Sequence, residues 1–93
     1  MRLRARVDAN HAQVVAALRS CGWTVIDTSR VGRGFPDLLV ARGGRMELIE
    51  VKDGAKSLSR QKATKAEARL YNTLQGAGVR VRYINAVEQA VNL

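Results

Sequence analysis

Residues 35–52, FPDLLVARGGRMELIEVK, decide the architecture. Two apolar runs, 37–41 and 46–52, flank the tetrapeptide RGGR at 42–45. Gly43-Gly44 readily supplies the positive φ angles of a two-residue loop, so the runs read as antiparallel strands joined by a tight turn. Side chains alternate along the second run: Met46, Leu48, Glu50 and Lys52 share one face, and Glu47, Ile49 and Val51 the other. Both faces carry apolar residues, which predicts a strand covered on both sides. Glu50 and Lys52 then stand where charge is costly. With the turn centred on Gly43-Gly44, Asp37 falls opposite Glu50, about 5 Å away for a cross-strand pair.

Outward from this hairpin the chain keeps a regular order. Residues 29–36, SRVGRGFP, hold two glycines, two arginines and the only proline, which is loop chemistry. Before them a strand is expected over 23–28 and a helix over 9–20. In that helix Asp8 serves as cap, Val7, His11, Val14 or Val15, and Leu18 recur at helical spacing, and Gly22 suits the end. After the hairpin comes a polar, basic loop at 53–63. Thr64-Lys65-Ala66-Glu67 matches a capping box, and Leu70, Leu74 and Ala77 form the stripe of a second helix ending at 76–78. Val79, Val81 and Tyr83 alternate with Arg80 and Arg82 as a half-exposed fourth strand. Asn85-Ala86-Val87-Glu88 is another capping box opening a short terminal helix. The order is α-β-β-β-α-β-α. The helical connection between strands three and four lets them lie parallel, while the tight turn makes strands two and three antiparallel. The expectation is an α/β fold with a small mixed four-stranded sheet flanked by helices.

No repeat, linker or low-complexity tract interrupts the chain, and at 93 residues it reads as one domain, 1–93. A chain this short buries only about 60–65 % of its unfolded surface, leaving one modest core. Its 46 % apolar and 26 % charged residues are near the soluble average, which argues against disorder. Sixteen Lys+Arg against eight Asp+Glu give +8, and 12 of the 16 are Arg. Arg presents a planar fork of donors matched to phosphate, so the balance points to a polyanionic partner. A scatter of solvated charges is the bland alternative. The single Cys21 has no internal disulfide partner, and MRLRARVD lacks the apolar stretch of a secretory signal. No apolar run approaches the ~20 residues that span a bilayer, so the chain reads as cytoplasmic, with no membrane role.

Asp37, Glu50 and Lys52 carry the chemistry. Two adjacent carboxylates repel unless a cation lies between them, and a hard divalent ion with oxygen ligands, Mg²⁺ or Mn²⁺, removes that cost. Lys52 shares a face with Glu50 about 6–7 Å along the strand and can reach a water or phosphate oxygen held by the same ion. Phosphodiester hydrolysis needs these parts: an ion that activates water, and a cation aimed at the nucleophile or at the transition state. Glu-x-Lys alone also describes an ordinary exposed ion pair; the two apolar strands around it are what give it weight.

Pro36-Asp37 followed by Glu50-Val51-Lys52 resembles the PD-(D/E)xK nuclease superfamily. The wider run GRGFPDLLV…MELIEVKDG is similar to its compact VRR-NUC branch, itself similar to archaeal-type Holliday junction resolvases. The resemblance implies a restriction-endonuclease-like core, Asp37 and Glu50 as metal ligands with the backbone carbonyl of Val51, and Lys52 as the catalytic lysine. Relatives often add a Glu from the first helix and a Gln near the start of the second. Here the first helix offers only Asp8, Asn10 and His11: Asp8 as a simple cap, Asn10 or His11 lining the site through a water, or His11 as a direct ligand. Glu67 stands near the Gln position, where its capping box already gives it a structural role. A phage or bacterial source suits so minimal a version of the fold.

Around the site, Arg33 in the loop before Asp37, and Lys56, Arg60 and Lys62 after Lys52, are the candidate phosphate contacts. Trp23 and Phe35 are candidates to stack on an unpaired base, with a core role the alternative for Trp23. The expected activity is a divalent-metal-dependent endonuclease on DNA, selective for branched or Holliday-junction structure because little surface remains for reading bases. Paired incision at a junction needs two sites, hence a homodimer. The rival expectations are a non-catalytic nucleic-acid-binding module and an accessory subunit of a larger nuclease.

Overall fold

The computed structural model describes residues 10–53 and 63–93; Asp8, Lys56, Arg60 and Lys62 lie outside them. The elements are α1 (His11–Ser20), β1 (Thr24–Asp27), β2 (Leu38–Arg42), β3 (Arg45–Val51), α2 (Lys65–Gly76), β4 (Val81–Ile84) and α3 (Val87–Val91). The strands form one mixed sheet in the order β1-β2-β3-β4. β1–β2 and β2–β3 are antiparallel and β3–β4 is parallel, the last as its long helical connection allows. The β2–β3 turn falls on Gly43 and Gly44 with φ of 56° and 81°, angles that glycine adopts without a Cβ penalty.

Alternation sorts the sheet into two faces. Leu38, Val40, Ile49, Val51 and Ile84 point to one side and pack with Val14 and Leu18 of α1 and Ala90 of α3. Leu38 opposes Ile49, and Val51 opposes Ile84, so these pairs meet across strands as well as through the layer. The helical spacing read for α1 holds, since its buried residues are His11, Val14 and Leu18. The opposite face carries Ile26, Leu39, Leu48 and Val81 in one register row across all four strands. Ile26 there is 53 % exposed and the neighbouring Met46 66 %. The expectation that β3 is covered on both faces therefore holds at its C-terminal end, where Ile49, Glu50 and Val51 are all buried, and fails at Met46.

Two capping expectations change. α1 begins at His11, two residues later than read, and Asn10 in the cap position makes no side-chain cap bond. The Asn85–Glu88 box does not form: the Asn85 N–H donates to Gln89 Oε1 at 2.7 Å, and the helix starts from Ala86. The Thr64–Glu67 box does form, both bonds present. α2 buries none of its residues fully, and Leu70 and Leu74 are only half-buried, so it lies over one end of the sheet and contributes little to the core. No helix among the described residues is long and apolar enough to cross a membrane.

Candidate active site

The register Leu38↔Ile49 carries one step further to Asp37 opposite Glu50, the juxtaposition read from the turn. Asp37 stands just before β2. Its approach is fixed by Thr28, whose hydroxyl donates to the Pro36 carbonyl at 2.7 Å and whose N–H donates to the Asp37 carbonyl at 2.8 Å. The Asp37 carboxylate accepts the Val51 N–H at 2.9 Å, which ties it to the catalytic strand candidate itself. Val51 thus gives its side chain to the core and its N–H to Asp37.

Glu50 is 5 % exposed. Its Oε1 accepts the Tyr71 hydroxyl at 3.0 Å and its Oε2 lies 3.3 Å from Lys52 Nζ. Burial, then the charge of Asp37, then hydrogen bonding and charge from Glu67 push the Glu50 carboxyl up to about 8; the Tyr71 hydrogen bond opposes them. A carboxyl held this high beside two other carboxyls is a place that binds either a proton or a cation. Lys52 is half-buried and donates to Glu67 Oε1 at 3.0 Å. Burial alone would lower its ammonium, but the hydrogen bond to Glu67 and the charge of Glu50 raise it above the ordinary lysine value, so it stays cationic.

Glu67 has two tasks. The same Oε1 that receives Lys52 also accepts the Thr64 N–H at 2.9 Å, so the helix cap and the ion pair share one carboxylate. Burial raises Glu67, yet the Thr64 N–H, Glu50 and Lys52 more than reverse this, leaving it below the ordinary glutamate value. The two neighbouring carboxyls are pushed apart, Glu50 upward and Glu67 downward. Tyr71 was not singled out from sequence. The available signal was its spacing: Tyr71 is four residues after Glu67 and therefore on the same helix face. Tyr83, opposite Glu50 in the β3–β4 register, packs edge-on against Tyr71 with centroids 5.6 Å apart. Burial and the facing carboxylates push the Tyr71 phenol upward, so it remains a donor.

Of the first-helix candidates, Asn10 reaches the site's backbone. Its Nδ2 donates to the carbonyls of Lys52 at 3.1 Å and Asn85 at 3.3 Å, while Oδ1 is buried with no partner among the described residues. His11 does not line the site. Its ring is buried and its Nε2 faces Asp27 Oδ2 at 3.3 Å, the packed pairing of a core histidine, while Nδ1 is buried with no partner among the described residues. Arg33 is exposed and has φ of 58°, the one positive φ on a described residue other than glycine. It lines a groove of about 470 Å³ with Ala66, Arg69, Leu70 and Thr73. Its neighbour Gly34 is needed there: a Cβ would stand 2.5 Å from the Ala66 carbonyl carbon. Trp23 is core, 3 % exposed, and does not offer a face to a base; Phe35 is half-buried.

Asp37, Glu50, Lys52, Glu67 and Tyr71 thus converge on one end of the sheet. Among the described residues, however, no three His, Cys, Asp or Glu side chains are grouped closely enough to hold a metal ion. The reason is visible in the bonds: each carboxylate is turned to an internal donor, Asp37 to Val51, Glu50 to Tyr71, and Glu67 to Lys52 and Thr64. Compared with known protein families, curated proteins and solved structures, the chain matches none.

Proposed function

We propose that the protein is a divalent-metal-dependent endonuclease of the PD-(D/E)xK type that cuts DNA, with branched DNA its preferred form. The observation that carries this is Glu50, a nearly fully buried carboxyl facing Asp37 and Glu67 with a permanently charged Lys52 3.3 Å away. The donor set is all oxygen, which fits Mg²⁺ or Mn²⁺, and binding would require Asp37 and Glu50 to turn from their internal donors toward the ion. Asp37, Glu50 and the Val51 carbonyl are the groups that would hold the ion, whose chemistry is to acidify a bound water and offset charge on the phosphoryl oxygens. Lys52 then presents its ammonium to the phosphate or the attacking water, having Glu67 as a resting partner. Tyr71 and Asn10 keep Glu50 and the Lys52 backbone in place. Arg33 on the neighbouring loop grips phosphate.

One chain has one such site and cuts one strand. A two-fold homodimer acting in the cytoplasm supplies the second, and the apolar row Ile26, Leu39, Leu48 and Val81 is the surface for that second copy. The internal pairing of every carboxylate favours a second reading, a non-catalytic nucleic-acid-binding module in which the cluster is structural. Incubation of the purified protein with linear, flapped and four-way-junction DNA in Mg²⁺, Mn²⁺ or EDTA separates the two. Metal-dependent cutting is expected; no cutting of any substrate removes the enzyme reading for this chain. Lys52→Ala should abolish cleavage and leave salt-dependent binding nearly intact, whereas equal loss of both would make Lys52 a mere phosphate contact.

A further inference from the structure

The two ends of β3 differ in chemistry. Its C-terminal end carries the carboxyl cluster; its N-terminal end, at the hairpin, carries guanidiniums. Arg42 and Arg45 are register partners across the turn, on the sheet face of Val40 and Glu47, opposite to the face of Glu50. Both are exposed, and both lean on the buried Trp23, with Cζ atoms 4.4 Å and 5.3 Å from the ring centroid. Stacking of this kind fixes a guanidinium plane and leaves its edge donors outward. Arg42 Nη1 also donates to the Cys21 carbonyl at the end of α1, at 2.6 Å.

Arg82 joins the pair from β4. Arg45 Nη2 donates to Glu47 Oε2 at 2.9 Å and Arg82 Nε to Glu47 Oε1 at 3.3 Å. Two guanidiniums therefore share one carboxylate, and the third, Arg42, has a backbone carbonyl and no carboxylate among the described residues. Each guanidinium has five N–H donors, so most have no partner among the described residues. Like charges gathered on a rigid platform with one counter-charge are poorly balanced until an anion arrives. A purely structural cluster would need only one arginine over Trp23 and one for Glu47.

We propose that Arg42, Arg45 and Arg82 form a second phosphate-binding surface that takes the backbone of a DNA arm other than the one being cut. The placement argues for a different arm. Six residue steps along β3 separate Arg45 from Val51, about 20 Å at the usual strand rise, while Arg82, the register partner of Ile49, stands nearer and is set apart from Glu50 by the face alone. The two sites also lie on opposite faces of the sheet, so a straight duplex laid against one does not reach the other. A branched or sharply bent DNA does. This inference rests on the nuclease reading and adds the geometry of its substrate.

The test is binding without cleavage. Wild type and Arg42→Gln/Arg45→Gln are titrated in EDTA with a fluorescent 30-base-pair duplex and a four-way junction over a range of salt. For the junction, the double variant should bind about tenfold more weakly and lose about 1.8 from its log–log salt slope, at ~0.9 per phosphate contact. The linear duplex should change less than twofold. An unchanged junction slope, or equal losses on both DNAs, overturns the second surface. Arg82→Gln leaves the Trp23 stack untouched and repeats the test, with an expected slope change of about 0.9, should the double variant fold poorly. Failure of the wild type to bind any DNA would instead sink the nuclease reading; metal-dependent cutting with unchanged variant slopes would sink only the second surface.

Discussion

At the scale of single residues, Glu50 governs the behaviour of the site. Its carboxyl sits at about 8 when folded against an ordinary 4.5, so the folded chain holds a proton that the unfolded chain has released throughout the interval between. Stability from this group is full below about 4.5 and is lost as pH rises through about 8. Glu67 and Asp27, both lowered, act oppositely and only in the acid range. Thermal melts in EDTA should therefore fall from pH 5.5 to 8, and Glu50→Gln should flatten that fall. Mg²⁺ should raise the melting temperature more at pH 8 than at pH 6, because it competes with the proton. Tyr71 assists the ionised form of Glu50. Tyr71→Phe removes one hydrogen bond of about 1 kcal/mol, and Mn²⁺ affinity at pH 7, read by calorimetric titration, should drop roughly fivefold. An unchanged affinity would reduce Tyr71 to packing against Tyr83.

At the scale of elements, the β2–β3 hairpin is legible in its turn and register, which a Gly-Gly turn and a period of two fix; the strands lie one residue from the bounds read for them, so Asp37 and Lys52 stand just outside β2 and β3. The helix caps were less so. Thr64-x-x-Glu67 and Asn85-x-x-Glu88 are the same pattern, yet only the first forms, because Gln89 takes the Asn85 N–H and Asn10 takes its carbonyl. Those partners are 4 and 75 residues away, and no local rule reports the second. Tyr71 was missed for a related reason: the tilt of α2 over the sheet end is a tertiary property that spacing does not contain. Because Glu67 serves cap and ion pair together, Thr64→Ala should cost about 1 kcal/mol in urea denaturation. Gly34→Ala should cost more, since φ is +79° and the added carbon meets α2 backbone at 2.5 Å. A Gly34 variant as stable as wild type would mean that the loop parts freely from the helix.

At the scale of the whole molecule, composition raises the expectation of a polyanionic partner without saying where one would bind. The arginines of the hairpin end are far from the carboxyl cluster, and only folding shows that they gather on Trp23 and Glu47. The apolar row, half-buried at Leu39, Leu48 and Val81 and exposed at Ile26, poses the question of assembly. Light scattering of the purified chain should give twice the monomer mass of 10.2 kDa, and Ile26→Glu should return it to the monomer; a monomeric wild type would remove the paired-incision scheme. The strand β3 ties these scales together. Ile49 and Val51 belong to the core, and Glu50 and Lys52 to the site, with no idle position between them. A slip of one residue would put two charges into the core and two aliphatic side chains into the site in a single event. On the nuclease reading, correct folding and competence are therefore one test: a preparation that bound Mn²⁺ tightly would, by that fact alone, report the alignment of its own backbone.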